Sequence, residues 1–584
     1  MTSKKLNISN REVPQFLRGF FNSEENISVL GSGEVGGKVS GLVSFQNLIQ
    51  NKIDTSQYSS IQIKIPKFVV IATNHFDHFM ISNNLYETAL SDISDERKAK
   101  IFEAAHLPSE LLGDLRSISS EIHTPLAIRS SSMLEDSLEQ PFAGVYATKM
   151  IGNHEPDPNK RFHKLIESIK FVYSSTFFKS ALQYFEATGN DPRDEKMAVI
   201  IQEVIGSSRN KRFYPAISGV ARSHNYYPFG RSKAEDGIVN LALGLGKIIV
   251  DGGISWMYNP KYPKISAPFS SPKELMKNSQ SKFWAVNMDP VIDYNPLKEE
   301  EYMVELDLND ADYDSALDYS ASTFDSTSNK IVMGIGSEGL RVIDFARLLK
   351  LNEFSFNNLI LDILQKCDHE YDMPVEIEFA FDVNKRDNKR EFALLQIRPM
   401  NVSKNKIDFL TEELHSSKLL VKSKQVLGNG EDNSVRDIIF VDPNKFESKF
   451  TTSIAQEIEI FNKKFVDSKT NYVLCGFGRW GSSDEWLGIP VNWSQVSNAK
   501  VIVESSLPNF NIDFSQGSHF FHNISAFNVY YFSVKFDSSE FINWDWMLEQ
   551  EVESESKFVK HIKLKNPLKI KVDGRIGLGI ISYG

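Results

Sequence analysis

Apolar and polar residues alternate along the first two thirds of the chain as they do in the strands and helices of a mixed fold. A β-prone run at 27–30 precedes the glycine-rich stretch 31–38, and apolar residues then recur at helical spacing over 39–49. Further strand patterns lie at 61–72, 125–129, 198–204, 217–222, 238–243, 375–381 and 392–398. Further helical patterns lie at 74–122, 160–187 and 340–367. Strands interleaved with helices predict an α+β (mixed α/β) class.

A change in composition after the last of these strands predicts a domain boundary. Residues 401–433 are polar and lysine-rich and include Gly428 and Gly430, the composition of a linker. Residues 434–584 are rich in aromatic side chains and have a strand pattern of their own. We therefore predict one domain over 1–400, a linker over 401–433, and a C-terminal α+β domain of unassigned role over 434–584.

Composition and charge exclude several classes of protein. The 584-residue chain is 41% hydrophobic and 24% charged, as is ordinary for a globular protein. Its formal net charge of −11 argues against a broad basic surface for nucleic acid, whereas a nucleotide needs only a few local cations. Two cysteines exclude a disulfide framework, and no apolar run has the length of a membrane span or the character of a signal peptide. We expect a cytoplasmic protein that binds neither nucleic acid nor membranes.

The glycine-rich stretch reads Gly-Ser-Gly-Glu-Val-Gly-Gly-Lys and ends at Lys38. A strand, a glycine turn and a helix start can offer bare N–H groups and the positive end of a helix dipole to a phosphate, and a lysine adds charge. The sequence matches the G-x-G-x-x-G pattern of dinucleotide-binding proteins, but the acidic residue expected about 20 positions later is missing. It also nearly matches the P-loop motif, from which it departs at Ser32 and Val39. A glycine turn without any ligand explains the same residues, so the motif alone leaves these alternatives open.

A second candidate site begins at Arg129, which leaves an apolar strand and is followed by the serines 130–132. Glu135, Asp136 and the Phe-Ala-Gly stretch 142–144 come next. A guanidinium and several hydroxyl groups are suitable donors to phosphate oxygens. A turn capped by its own Ser and Asp side chains is the alternative interpretation.

The two closing strands carry a third candidate site. Residues two apart on a strand point to the same face, so Glu376 and Glu378 lie side by side, as do Gln396 and Arg398 on the neighbouring strand. Such a patch offers hard oxygen ligands for Mg²⁺ and a guanidinium for phosphate, as a bound triphosphate requires. A cross-strand salt bridge on a solvent-exposed face is the alternative.

Taken in order, these stretches resemble the N-terminal AMP/ATP-binding domain of the pyruvate phosphate dikinase and phosphoenolpyruvate synthase family. The resemblance extends through the strand 199–204, the glycine-containing segments 218–221 and 241–246, and the closing stretches 376–379 and 394–399. It implies an ATP-grasp fold whose two lobes, roughly 1–195 and 196–400, hold ATP between them.

The resemblance implies roles at the phosphate end of the nucleotide. Lys38 and Arg129 would clamp the transferring phosphates, and Arg398 would be a further phosphate ligand with a catalytic role. Glu378 and Gln396 would hold Mg²⁺. The implied cofactors are therefore ATP and Mg²⁺.

The resemblance also implies roles for the surrounding residues. Glu376 would be either a catalytic carboxylate or one that supports its neighbours. Glu203 and the backbone of Val204 would contact the adenine, next to Gln202 on the same strand. The remaining expected nucleotide contacts come from Gly36, Gly37, Ser130, Gly244, Gly246 and Lys247.

The chain departs from the family at two points. Many relatives have Glu directly after the Gly-Leu-Gly segment, where this chain has Lys247, so a cation replaces a carboxylate near the phosphates. The motifs of the pyruvate-binding barrel and of the swivelling histidine domain are missing, so we expect no conversion of pyruvate to phosphoenolpyruvate by this chain alone. His519, on a glycine turn, is the candidate phosphoryl acceptor. A structural pair with His522 and a metal pair are the alternatives.

One further stretch, 476–486, places glycines around Arg479 and Trp480. Such a stretch is either a binding loop, with a guanidinium fork and an aromatic face, or a tight turn buried against the ATP domain.

We predict an Mg²⁺-dependent phosphotransferase of the kinase or dikinase type. Its acceptor would be a histidine, on this chain or on a separate histidine-domain protein, or an unidentified small molecule. A catalytically silent nucleotide-sensing module is the first alternative, favoured by Lys247 and the missing barrel. An ATP-dependent ligase is the second. AMP as the product would indicate the dikinase route, ADP a kinase or ligase, and bound but unchanged ATP the sensor.

Overall fold

The computed structural model describes residues 13–135, 144–228, 230–265, 271–289, 295, 297–384, 389–400, 402, 407–482, 484, 486–506, 520, 523–524, 527–535 and 540–584. Its α-helices lie at Gly37–Asn51, Thr73–Ser82, Leu85–Leu90, Asp95–Ala104, Ser109–Glu121, Pro158–Ser175, Lys179–Thr188, Lys247–Val250, Pro272–Lys277, Leu308–Tyr313, Ala346–Leu351, Phe356–Tyr371, Thr411–Leu414, Thr451–Ser468 and Trp544–Glu549. None of these helices combines the length and the apolarity that a membrane crossing requires. The interleaving of helices and strands confirms the predicted α+β class.

The first sheet has the strand order Ile27–Leu30, Phe68–Ile71, Ala198–Glu203, Leu126–Ser131, Thr148–Ile151. Alternate residues of its inner strands enter two different cores, as the period of two requires. Val69 and Ile71 pack into the core that contains the helices of residues 73–175, whereas Phe68 and Val70 face the opposite side. The helix Gly37–Asn51 covers that opposite side with its buried apolar residues.

The second sheet has the strand order Trp256–Tyr258, Ile238–Ala242, Ile217–Arg222, Val375–Asn384, Lys389–Pro399, Gln62–Lys64. The helix Gly37–Asn51 lies between the two sheets and packs directly on the strand Lys389–Pro399. Gly41 permits this contact, since a Cβ at this position would lie 2.7 Å from the carbonyl oxygen of Ile397. A helix that begins at the glycine-rich turn is therefore packed between the two sheets.

Two smaller sheets flank the second sheet. One has the order Met303–Asp307, Lys282–Asn287, Arg212–Tyr214, Ser207–Arg209, and the other has the order Lys330–Val332, Ala321–Asp325, Leu340–Ile343.

The C-terminal part of the chain is built on a mixed sheet of order Gln425–Leu427, Tyr530–Val534, Ala499–Ser505, Tyr472–Phe477, Asp437–Val441, Val559–Lys563, Val552–Glu555. The four strands between 437 and 534 are parallel to one another. A largely antiparallel sheet packs against it through a shared apolar core, in the order Asn429–Asp432, Lys569–Asp573, Leu578–Ser582, Leu419–Ser423, Phe541–Ile542. A short ladder pairs Arg479–Trp480 with Gly488–Ile489.

The C-terminal part contacts the N-terminal part through polar and buried groups. Glu459 accepts hydrogen bonds from Lys179 Nζ and Gln183 Nε2, each at 3.3 Å. Arg479 is buried and donates to the carbonyl oxygen of Gly252 at 2.8 Å. Arg479, in the stretch 476–486, therefore packs against the N-terminal part of the chain, and the choice between a binding loop and a buried turn stays open for the stretch as a whole.

Three sequence predictions differ from the observed elements. The lobe boundary at 195/196 does not separate the sheets, because Ala198–Glu203 lies within the first sheet and Gln62–Lys64 lies in the second. Three strands between 419 and 432 occupy the segment predicted as a linker, because alternating lysines mask its buried Leu and Val residues. The segment 340–367 is predicted to be helical throughout, but its first residues form the strand Leu340–Ile343. The extents of the domains themselves stay a prediction.

Candidate nucleotide-binding cleft

A cavity of about 250 Å³ lies between the first and second sheets. Of the residues predicted from the sequence, it is lined by Lys38, Arg129, Gln202, Glu203, Val204, Gly246, Lys247, Glu378, Gln396 and Arg398. The structure places five others beside the cavity rather than on its surface: Gly36, Gly37, Ser130, Gly244 and Glu376. His519 lies outside the described residues. Side chains up to 360 positions apart in the sequence thus converge on one cleft.

The glycine-rich turn docks onto the serine turn. Gly36 adopts φ +83°, and a Cβ there would lie 2.1 Å from the carbonyl oxygen of Ser131, so only glycine fits. The N–H of Gly37 donates to the carbonyl oxygen of Ser132 at 3.1 Å. These two glycines therefore fix the start of the helix that carries Lys38.

Three backbone N–H groups of the glycine-rich turn are engaged within the protein, and the predicted phosphate contact of this turn stays a prediction. The N–H of Ser32 donates to Asn74 Oδ1 at 2.8 Å, and that of Glu34 donates to Thr73 Oγ1 at 3.0 Å. Because Gly37 is also engaged, these N–H groups are already used within the protein. The turn contributes to the cleft through Lys38.

Lys38 is buried in a polar cluster at the edge of the cleft. Its Nζ lies 2.5 Å from Glu135 Oε1 and donates to the carbonyl oxygen of Ser130 at 3.1 Å. The hydroxyl of Ser130 also donates to Glu135, so Ser130 orients the pair and does not reach the cavity. Glu195 adjoins this cluster, and burial raises its pKa to about 7.

Arg129 bridges the two sheets. Its Nη1 donates to Gln202 Oε1 at 3.3 Å and to the carbonyl oxygen of Leu395 at 3.1 Å. Its Nη2 donates to Gln396 Oε1 at 3.0 Å and lies 3.9 Å from Glu378 Oε2. The guanidinium is thus held mainly by neutral oxygens at the centre of the cleft.

The two closing strands pair Glu376 with Arg398 and Glu378 with Gln396. Glu376 is buried behind the cleft, where Oε1 accepts from Nε of Arg398 at 2.7 Å and Oε2 accepts from Arg222. Glu376 is therefore placed to orient Arg398, and its part in catalysis stays a prediction. No sequence pattern pointed to Arg222, which reaches this carboxylate from the adjacent strand Ile217–Arg222.

Lys247 begins a short helix at one end of the cleft and is surrounded by carboxylates. Its Nζ lies 2.8 Å from Asp251 Oδ2 and 2.9 Å from Glu300 Oε1. Burial opposes its charged form, but the attraction of Asp251 and Glu299 outweighs burial and raises the pKa of Lys247. Burial also raises the pKa of Glu299, which lines the cleft, to about 7. Beside this helix, the carbonyl of Gly244 accepts from Ser218 Oγ at 2.7 Å.

The opposite end of the cleft is less charged. The N–H of Val204 donates to the carbonyl oxygen of Pro125 at 3.0 Å, so this group is not available to a nucleotide base. Glu203 Oε1 accepts from Thr124 Oγ1 at 3.4 Å, and burial raises the pKa of Glu203. Apolar side chains complete this end, namely Ala127, Met150 and Ile205. An apolar wall with a few polar groups suits a planar ring.

The donor set fits a magnesium ion that is shared with phosphates. The described residues contain no cluster of three or more His, Cys, Asp or Glu side chains suited to a metal. Glu378 and Gln396 instead present one carboxylate and one amide oxygen, and both face the cationic Arg129. Mg²⁺ is commonly held by one or two carboxylates together with substrate phosphates and water, so this pair suits a nucleotide-bound ion.

Residues 32–417 match the family model described as pyruvate phosphate dikinase, AMP/ATP-binding domain. The chain belongs to this family. No curated protein matches the chain. The matched range includes every described residue of the cleft and all strands of both sheets except Ile27–Leu30, so the cleft lies within the AMP/ATP-binding domain of a pyruvate phosphate dikinase family member.

Sequence reasoning missed three acidic residues of this domain. Asp251 and Glu299 line the cleft and Glu195 lies beside it, whereas Glu135, which also lines the cleft, was part of the serine-rich candidate site. The three missed residues come from turns, loops or segment ends without a periodic pattern. The run of three glutamates at 299–301 was the one available signal, and it resembles an ordinary solvated charge run.

Proposed function

We propose that the chain is an Mg²⁺-dependent phosphotransferase that holds ATP in this cleft. The adenine would lie at the apolar end near Glu203, and the phosphates would lie among Lys38, Arg129 and Lys247. The observation that carries this proposal is the convergence of Arg129, from the first sheet, with Glu378 and Gln396, from the second. Cationic and metal-binding groups from two lobes meeting in one cleft are what a magnesium triphosphate requires.

The cations of the cleft are held in position by partners. Glu135 fixes Lys38 and Glu376 fixes Arg398, so the side chains of Lys38 and Arg398 enter the cleft in defined orientations. Arg129 differs, because its hydrogen-bond partners are neutral amide and carbonyl oxygens. Charge-assisted hydrogen bonds to phosphate are stronger than those to neutral oxygens. We therefore expect Arg129 to exchange these partners for phosphate oxygens when ATP binds.

In the transfer step, Lys38 and Arg129 would stabilise the charge that develops on the transferring phosphoryl group. Glu378 and Gln396 would hold Mg²⁺, which would supply positive charge to the phosphates when bound. Arg398, oriented by Glu376, would hold the phosphates in line without moving a proton.

The surroundings of Lys247 favour the enzyme over the nucleotide sensor. A cation at this position was the main sequence argument for a silent module. Asp251, Glu299 and Glu300 lie around it, so carboxylates are still present at this end of the cleft. Lys247 stands where many relatives have Glu, but Asp251, Glu299 and Glu300 still supply carboxylates to this end of the cleft.

The test is incubation of the full chain with Mg²⁺-ATP, followed by calorimetry for binding and chromatography of the nucleotides. Binding with formation of AMP or ADP supports the phosphotransferase, and AMP identifies the dikinase route. Binding with unchanged ATP supports the sensor. Failure to bind ATP overturns the proposal.

His519 stays a prediction as an internal acceptor, since it lies outside the described residues. Its test is radiolabelling from ATP that is labile to acid and stable to base. The label should be lost in His519→Ala and retained in His522→Ala. Absence of label in the unmodified chain would rule out His519.

A further inference from the structure

A second cavity, of about 260 Å³, lies where the C-terminal part meets the ATP domain, and we call it the interdomain cavity. Tyr184 contributes from the ATP domain, and Ser482, Asn492 and Trp493 contribute from the C-terminal part. The interdomain cavity adjoins the nucleotide cleft, since both are lined by Gly144, Val250 and Asp251. A molecule bound in it would lie next to the phosphate end of the cleft, where Lys247 is found.

The chemistry of the interdomain cavity differs from that of the cleft. Hydroxyl and amide groups line it together with rigid aromatic rings, and Trp493 is stacked on Phe527 with centroids 4.8 Å apart. No Lys or Arg is among its described lining residues. The described lining therefore offers an anion no cationic partner, whereas an uncharged polar molecule finds hydrogen-bonding groups and aromatic surface there.

Asp251 is the charged residue that the two cavities share. Its carboxylate lies 2.8 Å from Lys247 Nζ, which holds it at the boundary between the phosphate end and the interdomain cavity. A carboxylate in that position can accept the proton of a hydroxyl group that attacks a phosphate, as a catalytic aspartate does in phosphoryl transfer.

We propose that the interdomain cavity binds the phosphoryl acceptor, an uncharged small molecule with a hydroxyl group, and that Asp251 is its general base. This proposal rests on the phosphotransferase function proposed above. The hydroxyl oxygen forms a bond to the γ-phosphorus, and the bond from that phosphorus to the β–γ bridging oxygen breaks. The electron pair leaves on the bridging oxygen of ADP, and the hydroxyl proton passes to Asp251. The products are a phosphate monoester and ADP.

The experiment measures ADP formation by the full chain with Mg²⁺-ATP and one added compound. The uncharged probes are glycerol, D-ribose and benzyl alcohol, and the anionic probes are pyruvate and inorganic phosphate. At least one uncharged probe should raise ADP formation about tenfold or more, and neither anion should do so. Asp251→Asn should lower the stimulated rate by roughly 100-fold, the usual contribution of a general base.

A matched pair of variants locates the effect. Ser180 lines the interdomain cavity from an exposed position on the helix Lys179–Thr188, so Ser180→Trp should fill the cavity without disturbing the core. Ser120, equally exposed on the helix Ser109–Glu121, is the control for the same change. Ser180→Trp should abolish the stimulation while the Kd for ATP changes by less than about twofold, and Ser120→Trp should retain the stimulation.

The possible failures are distinguishable. Absence of ATP binding by the unmodified chain would contradict the proposed function itself. Three results would overturn the acceptor proposal alone: ATP binding without stimulation by any uncharged probe, stimulation only by an anion, or stimulation that persists in Ser180→Trp.

Discussion

Nη2 of Arg129 donates to the amide oxygen of Gln396 at 3.0 Å, across 267 residues of sequence. This hydrogen bond joins a strand of the first sheet to a strand of the second. The groups that we expect to bind phosphate and metal are thus the same groups that connect the two lobes. ATP binding would exchange this contact and so alter how the lobes are held together.

Arg129→Gln should weaken ATP binding without unfolding the chain. Hydrogen bonds from a charged group contribute about 1.5–3 kcal/mol, so the Kd for Mg²⁺-ATP should rise roughly 10- to 100-fold. Isothermal titration calorimetry measures this change. The control is Arg97→Gln, at an exposed position of the helix Asp95–Ala104. An unchanged Kd in Arg129→Gln would contradict the assignment of this residue to the phosphates.

Glu376→Gln should destabilise the fold. The substitution leaves the buried guanidinium groups of Arg222 and Arg398 without their shared carboxylate. Removing one partner of a buried ion pair costs about 3–5 kcal/mol, which urea unfolding should detect. Glu378→Gln is the matched control on the same face of the same strand, and its free energy of unfolding should change by less than about 1 kcal/mol. Equal effects in the two variants would contradict the positioning role of Glu376.

Glu378→Gln should instead reduce the effect of magnesium on ATP binding. The carboxylate and the amide oxygen of Gln396 are the proposed ligands from the protein, and an amide in place of the carboxylate removes the charged one. Titration with ATP in Mg²⁺ and again in EDTA gives the ratio of the two Kd values. That ratio should fall roughly tenfold in the variant. A ratio equal to that of the unmodified chain would exclude Glu378 as a ligand.

Gly36→Ala should disrupt the contact between the glycine-rich and serine turns. The new Cβ would overlap the carbonyl oxygen of Ser131, and the residue would also be strained at φ +83°. Gly19 provides the control, since it has φ +89° and a Cβ added there would have no neighbouring atom within 4 Å. Thermal or urea unfolding should show a loss of about 1 kcal/mol for Gly19→Ala and roughly 3 kcal/mol or more for Gly36→Ala. Similar losses would mean that the close approach to Ser131 is unimportant.

Glu504→Gln should make the stability of the protein less sensitive to pH. Burial raises the pKa of Glu504 from its ordinary 4.5 to about 7, although Tyr531 and Arg479 counteract part of the shift. The folded chain therefore keeps this proton while the unfolded chain releases it, and the contribution of Glu504 to stability is lost as pH rises from 4.5 to 7.

Urea unfolding at pH 5 and pH 8 measures this contribution. At each pH, the free energy of unfolding of the unmodified chain is subtracted from that of Glu504→Gln. This difference should be roughly 2 kcal/mol larger at pH 8 than at pH 5. Glu549→Gln, an exposed position on the helix Trp544–Glu549, should show no such increase. An identical pH dependence in Glu504→Gln and the unmodified chain would mean that Glu504 is ionised throughout.

The parts of the cleft that could be predicted are those encoded by local pattern. The two closing strands have the period of two that places Glu376 and Glu378 on one face, and both strands form. The glycine-rich and serine turns were visible as turns because glycine and serine have distinct backbone preferences. Their mutual contact, through Gly36 and Ser131, depends on tertiary packing and has no signature in either segment.

What could not be predicted depends on long-range contacts. Nothing near Val204 indicates that its N–H is already used by Pro125 in the neighbouring strand segment. Glu299 becomes a functional candidate only because the fold brings it to Lys247. Short strands such as Gln425–Leu427 escape detection because three residues are too few to show a period.

The placement of Ala198–Glu203 and Gln62–Lys64 has a consequence for folding during synthesis. The first sheet lacks its middle strand until residue 203 has been made, and Gln62–Lys64 pairs with Lys389–Pro399, which is made far later. Such distant pairings carry a large loop-closure cost and fold slowly. A nascent chain that stops at residue 195 would have Phe68–Ile71 and Leu126–Ser131 with no strand between them. The strands of the first sheet are therefore all present once residue 203 has been made, whereas the second sheet waits for residue 399.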